Sequence, residues 1–312
     1  TTTPESRLQV VGNITNIASS RFNPVLVGSA TTQTTSSNVY VSGRYSYVGL
    51  ASGGFEIFDV STSSPAFVGR INTEAVAASS LFIAGKYAYV VSTNNDSLNI
   101  YDISDPSHPA TTSITILSSN GKSVYVSGRY AYIGENNTIY DISNPYQPIF
   151  VGSFTGSTND ENVVIGRYAY GANNGTFHIN DISNPQNAVN LSNVAIGNSG
   201  GGELAVSGAY AYVASSTDLA IFNISNPASP TRIGIINVGS VIRVSSSIVG
   251  NAIVIAGRYI YASTDSGIKI IDVLNQTSPV LIGSVSSTNA SLFVSGRYLY
   301  AAQANSLNIY DI

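Results

Sequence analysis

The chain has 312 residues, a formal net charge of −4, only 10% charged residues, and neither Cys nor Met. Without Cys, disulfides and thiolate metal sites are excluded, and the weakly acidic balance argues against nucleic-acid binding. No apolar run approaches the roughly 20 residues that cross a bilayer, so the mature chain is expected to lack a membrane span.

The sequence starts at Thr1 and is rich in Ser, Thr and Asn. We interpret it as a secreted chain whose leader has been removed, with an extracellular or cell-surface localisation. Asn-x-Ser/Thr sequences are then possible glycosylation sites, although they occur about as often as the composition gives by chance. Asn223 is left out because it lies within a predicted strand. The remaining sites are Asn13, Asn95, Asn136, Asn174, Asn190, Asn275 and Asn289.

Residues 1–20 are predicted to form a strand-like extension ahead of one domain spanning 21–312. The segment from Leu8 to Ile14 has a strand pattern, and its apolar side chains are possible subunit contacts: Leu8, Val10, Val11 and Ile14. It either packs on its own domain or adds as a strand to a neighbouring subunit. The second arrangement is a heterologous contact, which builds a filament if it does not close.

The first complete structural unit is predicted over Asn38 to Arg70. It contains four short alternating strands, which we call A, B, C and D, separated by turns at Ser42-Gly43 and Ser52-Gly53-Gly54 and by a loop ending at Pro65. The alternation places Tyr45 and Tyr47 of strand B on one face.

The Gly-x-Tyr-x-Tyr sequence of this unit recurs at a period of about 40 residues, which is typical of a propeller with one four-stranded blade per repeat. The repeats begin at Gly43, Gly85, Gly128, Gly166, Gly208, Gly257 and Gly296. The Tyr pairs are interpreted as packing between neighbouring blades rather than as a sugar-binding or electron-transfer row.

The sequence resembles the LVIVD-repeat family of bacterial and archaeal surface β-propellers. The resemblance rests on the Gly-Arg-Tyr-x-Tyr turn and on the third strand with its Pro-bearing loop, as in 98–106 and 221–227. It covers nearly all of the chain after about Ser20. It implies the propeller architecture and a surface location, and says little about activity.

Strands B and C run antiparallel, which brings a cation at the start of B near an Asp at the end of C. The predicted pairs are Arg44–Asp59, Lys86–Asp102, Arg129–Asp141, Arg167–Asp181, Arg258–Asp272 and Arg297–Asp311. In the fifth repeat both charges are absent together, at Ala209 and Asn223. This paired loss favours structural ion pairs over a functional ring of Arg.

The last repeat ends with its third strand at Asp311-Ile312, so its outer strand is missing. Residues 23–28, Asn-Pro-Val-Leu-Val-Gly, match the outer-strand sequence at 278–283 and are predicted to supply it. The fold class is therefore all-β: a seven-bladed β-propeller of four-stranded antiparallel blades, closed by an N-terminal outer strand.

No catalytic constellation is recognisable, and no cofactor or metal is predicted. His108 lies in a turn and His178 on a third strand, and neither has a second His near it in the sequence, so a His-rich metal site is excluded. Acids are predicted on the face formed by the D–A and B–C loops: Glu74, Asp96, Glu135, Asp160, Glu161, Glu203, Asp218 and Asp265. A Ca²⁺ site around Asp160-Glu161 is the alternative to isolated surface acids.

The longest insertion, 235–251, is apolar for a loop and is interpreted as a contact or as a plug of the central channel, in preference to a catalytic lid. Three functions compete on the sequence alone. The first is a non-enzymatic extracellular structural or adhesive subunit that associates with itself. The second is a module that binds surface glycans, peptides or other surface proteins, and the third, least supported, is a propeller hydrolase or lyase.

Overall fold

A computed structural model describes residues 23–72, 77–154, 161–173, 175–197, 202–241 and 251–312. The prediction of a separate extension over 1–20 lies outside these residues, together with its four contact residues. The predictions for Asn13, Glu74, Asp160, Asn174 and most of the 235–251 insertion also lie outside them.

The strands of the first two blades follow one another along the chain after a single leading strand. They are β1 (Val25–Thr31), β2 (Ser36–Ser42), β3 (Tyr45–Leu50), β4 (Phe55–Asp59), β5 (Ala66–Ile71), β6 (Ser80–Ala84), β7 (Tyr87–Ser92), β8 (Ser97–Asp102) and β9 (Ala110–Ile116). The third and fourth blades contain β10 (Val124–Ser127), β11 (Tyr130–Ile133), β12 (Thr138–Asp141), β13 (Ile149–Ser153), β14 (Glu161–Ile165), β15 (Tyr168–Asn173), β16 (Thr176–Asp181) and β17 (Val189–Ala195).

The last three blades repeat the same order. They contain β18 (Leu204–Ser207), β19 (Tyr210–Ala214), β20 (Asp218–Asn223), β21 (Thr231–Asn237), β22 (Ile253–Ala256), β23 (Tyr259–Thr264), β24 (Gly267–Asp272), β25 (Val280–Val285), β26 (Ser291–Ser295), β27 (Tyr298–Gln303) and β28 (Ser306–Asp311). A 3-10 turn at Pro185–Asn187 is the one helical element in the described ranges. None of these ranges holds a helix that is long and apolar enough to cross a membrane.

The described strands form seven four-stranded antiparallel sheets, one per blade. Six blades are built from consecutive strands, whereas the seventh has the order β1-β28-β27-β26. Strand β1 pairs with β28 from Val25 opposite Asp311 to Thr31 opposite Ser306. The predicted seven-bladed propeller, closed by an N-terminal outer strand, is confirmed.

The turn between the first two strands of each blade requires its Gly. Gly43 has φ +59° and the six equivalent residues lie between +57° and +60°, a left-handed conformation that costs other residues energy and that suits two-residue hairpins. This requirement accounts for the most regular letter of the sequence repeat.

The core lies between blades rather than in one central mass. In a representative cluster, Tyr47 and Phe55 of the first blade pack against Leu81, Ile83 and Tyr101 of the second. Because each blade buries its faces on two neighbours, its apolar residues are satisfied only in the ring. Removing one blade therefore exposes the faces of two others.

The outer strands are locked to the next blade at a small residue. Ideal β-carbons built on Gly28, Gly69, Gly152 and Gly234 would overlap the backbone carbonyl oxygens of Ser63, Pro106, Pro185 and Gln276, respectively. The second blade has Ser113 at this position, and its hydroxyl donates to the carbonyl oxygen of Pro145 at 2.7 Å. Each of these carbonyls belongs to the loop between the third and fourth strands of the following blade, where the first blade follows the seventh.

Candidate functional site

In each of the six predicted pairs the cation contacts its own carboxylate, and all six pairs lie on the same face of the ring. The Lys86 ammonium lies 3.0 Å from an Asp102 carboxylate oxygen, and the Arg129 Nε lies 3.0 Å from Asp141. The guanidinium groups of the remaining pairs also donate hydrogen bonds to their carboxylates: Arg44 to Asp59, Arg167 to Asp181, Arg258 to Asp272 and Arg297 to Asp311.

Each cation of these pairs also lies over the ring of the Tyr that follows it. The distances from the charged group to the ring centroid are between 5.1 and 5.6 Å in all six blades. In these six blades the first Tyr of the Tyr-x-Tyr sequence, such as Tyr45, is therefore a half-exposed cation–π partner. The second Tyr, such as Tyr47, is buried in the core.

In five of the six pairs the Asp has a second function that the sequence did not reveal, because its carboxylate accepts a hydrogen bond from the N–H two residues later. Asp59 accepts a hydrogen bond from the Ser61 N–H at 2.9 Å, and Asp102 does the same for Ser104. In the fifth blade Asn223 keeps this bond to the Ser225 N–H at 2.9 Å. An Asn replaces the Asp there because an amide oxygen still caps the turn after the cation is lost.

The predicted loop-face acids that the structure describes are dispersed, and several already have partners. Glu135 lies 3.3 Å from the Lys122 ammonium, Asp218 accepts from Asn237 at 2.9 Å, and Glu203 accepts from the Ala252 N–H at 3.0 Å. Asp96 and Asp265 lie in the corresponding loops of the second and sixth blades. The backbone of Glu161 begins β14, and the cation-site alternative at Asp160-Glu161 lies outside the described side chains.

Within the described ranges, no three His, Cys, Asp or Glu residues are grouped as metal ligands would be. The two His residues are far apart in the ring. His108 is exposed and contacts Asp105 at 3.1 Å, whereas His178 is buried, with its Nδ1 2.7 Å from the Asn193 side-chain oxygen. Burial lowers the pKa of His178, against the opposing effect of Asn193.

The described glycosylation candidates differ in how exposed their side chains are. Asn275 and Asn289 are exposed loop residues, and Asn95 and Asn136 are half-buried in hairpin loops. Asn190 lies in β17, and its amide nitrogen donates to the Asn180 side-chain oxygen at 3.1 Å. A glycan on Asn190 would have to break this bond, so Asn275 and Asn289 are the more accessible sites.

A family comparison matches this repeated arrangement in every blade. The model of the LVIVD repeat matches residues 34–73, 77–115, 120–156, 159–195, 201–238, 250–287 and 289–312. The chain belongs to the LVIVD repeat family. The matched segments each contain the turn Gly and the third strand, which together position the cation–carboxylate pair in six of the seven blades.

Three solved structures show the same fold at low sequence identity. The computationally designed Ika8 protein is 11% identical with a TM-score of 0.64, and the match covers 92% of this chain and 99% of that one. The Cps50 (Swd1) β-propeller domain of Myceliophteria thermophila is 14% identical with a TM-score of 0.70, covering 93% and 99%. A functionally unknown protein of Desulfotomaculum acetoxidans DSM 771 is 15% identical with a TM-score of 0.68, covering 86% and 89%. No curated protein matches the sequence.

Polar pairs between the third and fourth strands of this LVIVD propeller were missed by the sequence interpretation. Buried Glu56 faces Arg70 on β5, with 3.7 Å between their charged groups, and Ser29 donates to Asn308 at 2.8 Å. His178 and Asn193 occupy the same relative position. The signal was a polar residue three positions before the pairing Asp or Asn, present in every blade except the fifth.

The carboxylates of the ion pairs predict a specific loss of stability in acid. The Ser104 hydroxyl and N–H, followed by the Lys86 ammonium, hold the pKa of Asp102 at about 2. Because this folded-state pKa lies below the unfolded value near 3.9, the stabilisation is complete above pH 4 and is lost as the pH falls toward 2.

We therefore expect Asp102→Asn, which keeps the turn-capping oxygen, to lower the melting temperature at pH 7 and to match the wild type near pH 2. Thermal unfolding followed by circular dichroism between pH 7 and pH 2 measures this convergence. A difference between the two proteins that stays constant with pH would contradict it.

Proposed function

We propose that this protein is a non-enzymatic structural or adhesive subunit of the cell surface or extracellular space, which associates with further copies of itself. The observation that carries the proposal is the outer rim of the ring. Each of the seven outer strands has exposed large apolar side chains, including Val25, Phe67, Ile116, Ile149 and Val280. Exposed apolar surface that recurs around a rim is typical of protein contacts.

The rim also offers backbone groups for pairing. Among the described strands, each outer strand hydrogen-bonds to a single neighbour, so its other edge is open to a further strand. Each outer pair contains a bulge near its start, as between Leu26 and Gly28. Bulges disfavour indiscriminate edge pairing, which supports a selective contact over general aggregation.

The proposed occupant of this edge is the segment 8–14 of a neighbouring copy. Its sequence, Leu-Gln-Val-Val-Gly-Asn-Ile, has the alternation and the Val-Gly step of the outer strand Val25–Thr31. The ring begins at an outer strand, so the chain enters it at the rim. A strand given by one ring to the next is a heterologous contact, which extends into a filament unless it closes.

The described polar groups support a structural function over an enzymatic one. The strongly shifted carboxylates, such as Asp59 and Asp141, belong to the repeated turn pairs, where guanidinium groups lower their pKa. Such a shift is repeated in blade after blade and serves the fold, whereas catalytic shifts are usually concentrated in one cleft.

Self-association is tested with the full chain and a variant lacking residues 1–22, which retains β1. We expect the full chain to form elongated particles that grow with concentration, and the shortened chain to remain a monomer with an unchanged melting temperature. Sedimentation velocity and negative-stain electron microscopy measure the particles. Val10→Asp, on the same face of the predicted strand as Leu8 and Ile14, should reduce assembly at least tenfold, whereas Gln9→Asp, on the opposite face, should leave it nearly unchanged.

The outcomes separate the parts of the proposal. A full chain that stays at 32.6 kDa at every concentration would contradict self-association. Assembly that persists without residues 1–22 would keep self-association but exclude the segment as its connector. Protease accessibility on intact source cells tests the surface location separately.

A glycan- or peptide-binding module is the second candidate, and a polar cleft in the third blade favours it. The cleft has a volume of about 580 Å³ and is lined mainly by hydroxyl and amide groups. These include Ser118, Ser119, Asn120, Asn136 and Asn137, with Glu135 and Phe154 at its sides. A monomeric full chain would shift the preference to this module.

A further inference from the structure

The inner strands of the blades enclose a cavity of about 290 Å³ along the central channel. One position, three residues before the turn Gly, contributes a side chain from every blade. Reading around the ring from the first blade, these residues are Tyr40, Phe82, Tyr125, Val163, Ala205, Val254 and Phe293, and all of them line the cavity. Four neighbouring blades therefore present aromatic rings, and the other three present small aliphatic side chains.

The four aromatic residues form a continuous arc. Ring centroids are separated by 4.6 Å between Phe293 and Tyr40, 5.0 Å between Tyr40 and Phe82, and 4.9 Å between Phe82 and Tyr125. The planes of successive rings differ by 44–56°, which matches the rotation of about 51° from one blade to the next in a seven-bladed ring.

This agreement fixes the orientation of the rings. Ring planes perpendicular to the channel axis would stay parallel from one blade to the next. The observed angles equal the full rotation between blades, so the ring planes run parallel to the channel axis. Rings that turned their faces to the channel would lie edge to edge around it and would collide at centroid separations of 4.6–5.0 Å. The rings therefore stand like spokes, with their faces toward one another and their edges toward the channel.

The opposite wall of the cavity carries smaller side chains, which leave space beside the aromatic arc. Val163, Ala205 and Val254 occupy positions where the other blades have rings, and Ile253 and Val206 continue the apolar surface. A missing ring at three adjacent positions gives an eccentric cavity beside the aromatic edges, rather than a uniform narrow pore. This one-sidedness is what the symmetric repeat by itself would not produce.

The polar groups of the cavity are neutral. Its described lining contains Ser80, Ser123, Asn162, Asn251 and the phenols of Tyr40 and Tyr125, and no ionisable Asp, Glu, Lys, Arg or His. Burial, and then proximity to Tyr125, raises the pKa of Tyr40, and burial raises the pKa of Tyr125. Both phenols are thus protonated hydrogen-bond donors at neutral pH. The Ser123 hydroxyl is buried and has no partner among the described residues.

We propose that this channel cavity binds a small, flat, uncharged aromatic molecule that carries a hydroxyl or carbonyl oxygen, the chemical class of phenols and naphthols. Aromatic edges carry positive partial charge and attract the face of another ring, and the aliphatic wall fits the opposite face. The phenols and the Ser hydroxyls hydrogen-bond the oxygen. Apolar pockets with a few convergent polar groups are the usual form of small-molecule sites, and a charged ligand would lose its hydration without a counter-charge.

The test uses the full chain and 2-naphthol as the probe, with isothermal titration calorimetry as the readout. We expect one site per chain and at least tenfold weaker binding of 2-naphthoate, which has the same ring system and a negative charge. Ala205→Phe should weaken 2-naphthol binding at least tenfold because it fills the cavity. The chain itself has Phe at the equivalent positions of the second and seventh blades, Phe82 and Phe293, so the substitution is compatible with the strand.

Val254→Phe, at the equivalent position of the sixth blade, is the second blocking variant in case Ala205→Phe fails to fold. The double variant Tyr40→Phe/Tyr125→Phe should weaken 2-naphthol binding several-fold while leaving naphthalene binding unchanged, and Tyr146→Phe, in an exposed loop, is the control for loss of a phenol. The proposal is overturned if the wild-type chain binds neither 2-naphthol nor naphthalene. It is also overturned if the folded blocking variants bind 2-naphthol as tightly as the wild type. Neither result depends on self-association, because the cavity lies within one ring.

Discussion

A chain that lacks residues 1–31 is expected to lose its cooperative fold, whereas a chain that lacks only residues 1–22 is expected to keep it. The difference is β1, which is the outer strand of the seventh blade and pairs along its length with β28. Val27 and Ala30 of this strand pack against a core cluster shared by the seventh and first blades. Its loss opens the ring at the junction of its two ends.

The expected effect is large because several terms are lost together. The hydrogen bonds to β28, the apolar contacts of Val27 and Ala30, and the contact of Gly28 with the first blade all disappear. Several kcal/mol is a large share of the roughly 5–15 kcal/mol that stabilises a typical domain. Near-UV circular dichroism and thermal unfolding measure the loss as a missing or strongly lowered transition.

A rearranged chain provides the matched control. Residues 23–31 are moved behind Ile312 through a copy of residues 143–146, so that seven residues separate Asp311 from Val25, as 142–148 separate the third and fourth strands of the third blade. This chain restores an outer strand to β28 with the connectivity of the other six blades. We expect its melting temperature to lie close to that of the chain lacking only 1–22. Full stability of the chain without residues 1–31 would contradict the importance of closure.

The architecture was predictable because its determinants are local and repeated. The left-handed turn at Gly43 and its equivalents, and the short alternating strands, recur seven times in the sequence. Antiparallel pairing of Tyr45 with Asp59 then places Arg44 next to that carboxylate. Comparison of the two chain ends gave ring closure, since residues 23–28 repeat a known outer-strand pattern.

What the sequence did not reveal depends on how the blades twist and meet. Alternation assigns a side chain to one face of a strand, but the twist of the blade decides whether Tyr40 enters the channel or the interface with the next blade. The sequence shows aromatic residues at one repeat position in four neighbouring blades, but it does not show the distances and angles between their rings. The same holds for Gly69, whose absence of a side chain matters only because the Pro106 carbonyl of the next blade lies against it.

Contact between an outer strand and the next blade predicts that Gly69→Ala is one of the most destabilising small changes in the ring. An ideal β-carbon at this position overlaps the backbone carbonyl oxygen of Pro106 and comes within 3.1 Å of the Ser107 carbonyl carbon. The obstacle is backbone, which cannot rotate away as a flexible side chain would. Overpacking in well-packed regions usually costs about 1–3 kcal/mol, and we expect a value at or above the top of that range.

Two variants separate this overlap from the general cost of replacing Gly. Gly43→Ala introduces a methyl group where nothing lies within 4 Å, so it costs only the left-handed conformation, roughly 1–2 kcal/mol. Ser113→Ala, at the position of Gly69 in the second blade, removes one hydrogen bond to Pro145 and should cost about 1 kcal/mol. Urea unfolding at neutral pH gives the three free energies. If Gly69→Ala costs no more than Gly43→Ala, the next blade has room to move, and the outer contact does not lock neighbouring blades.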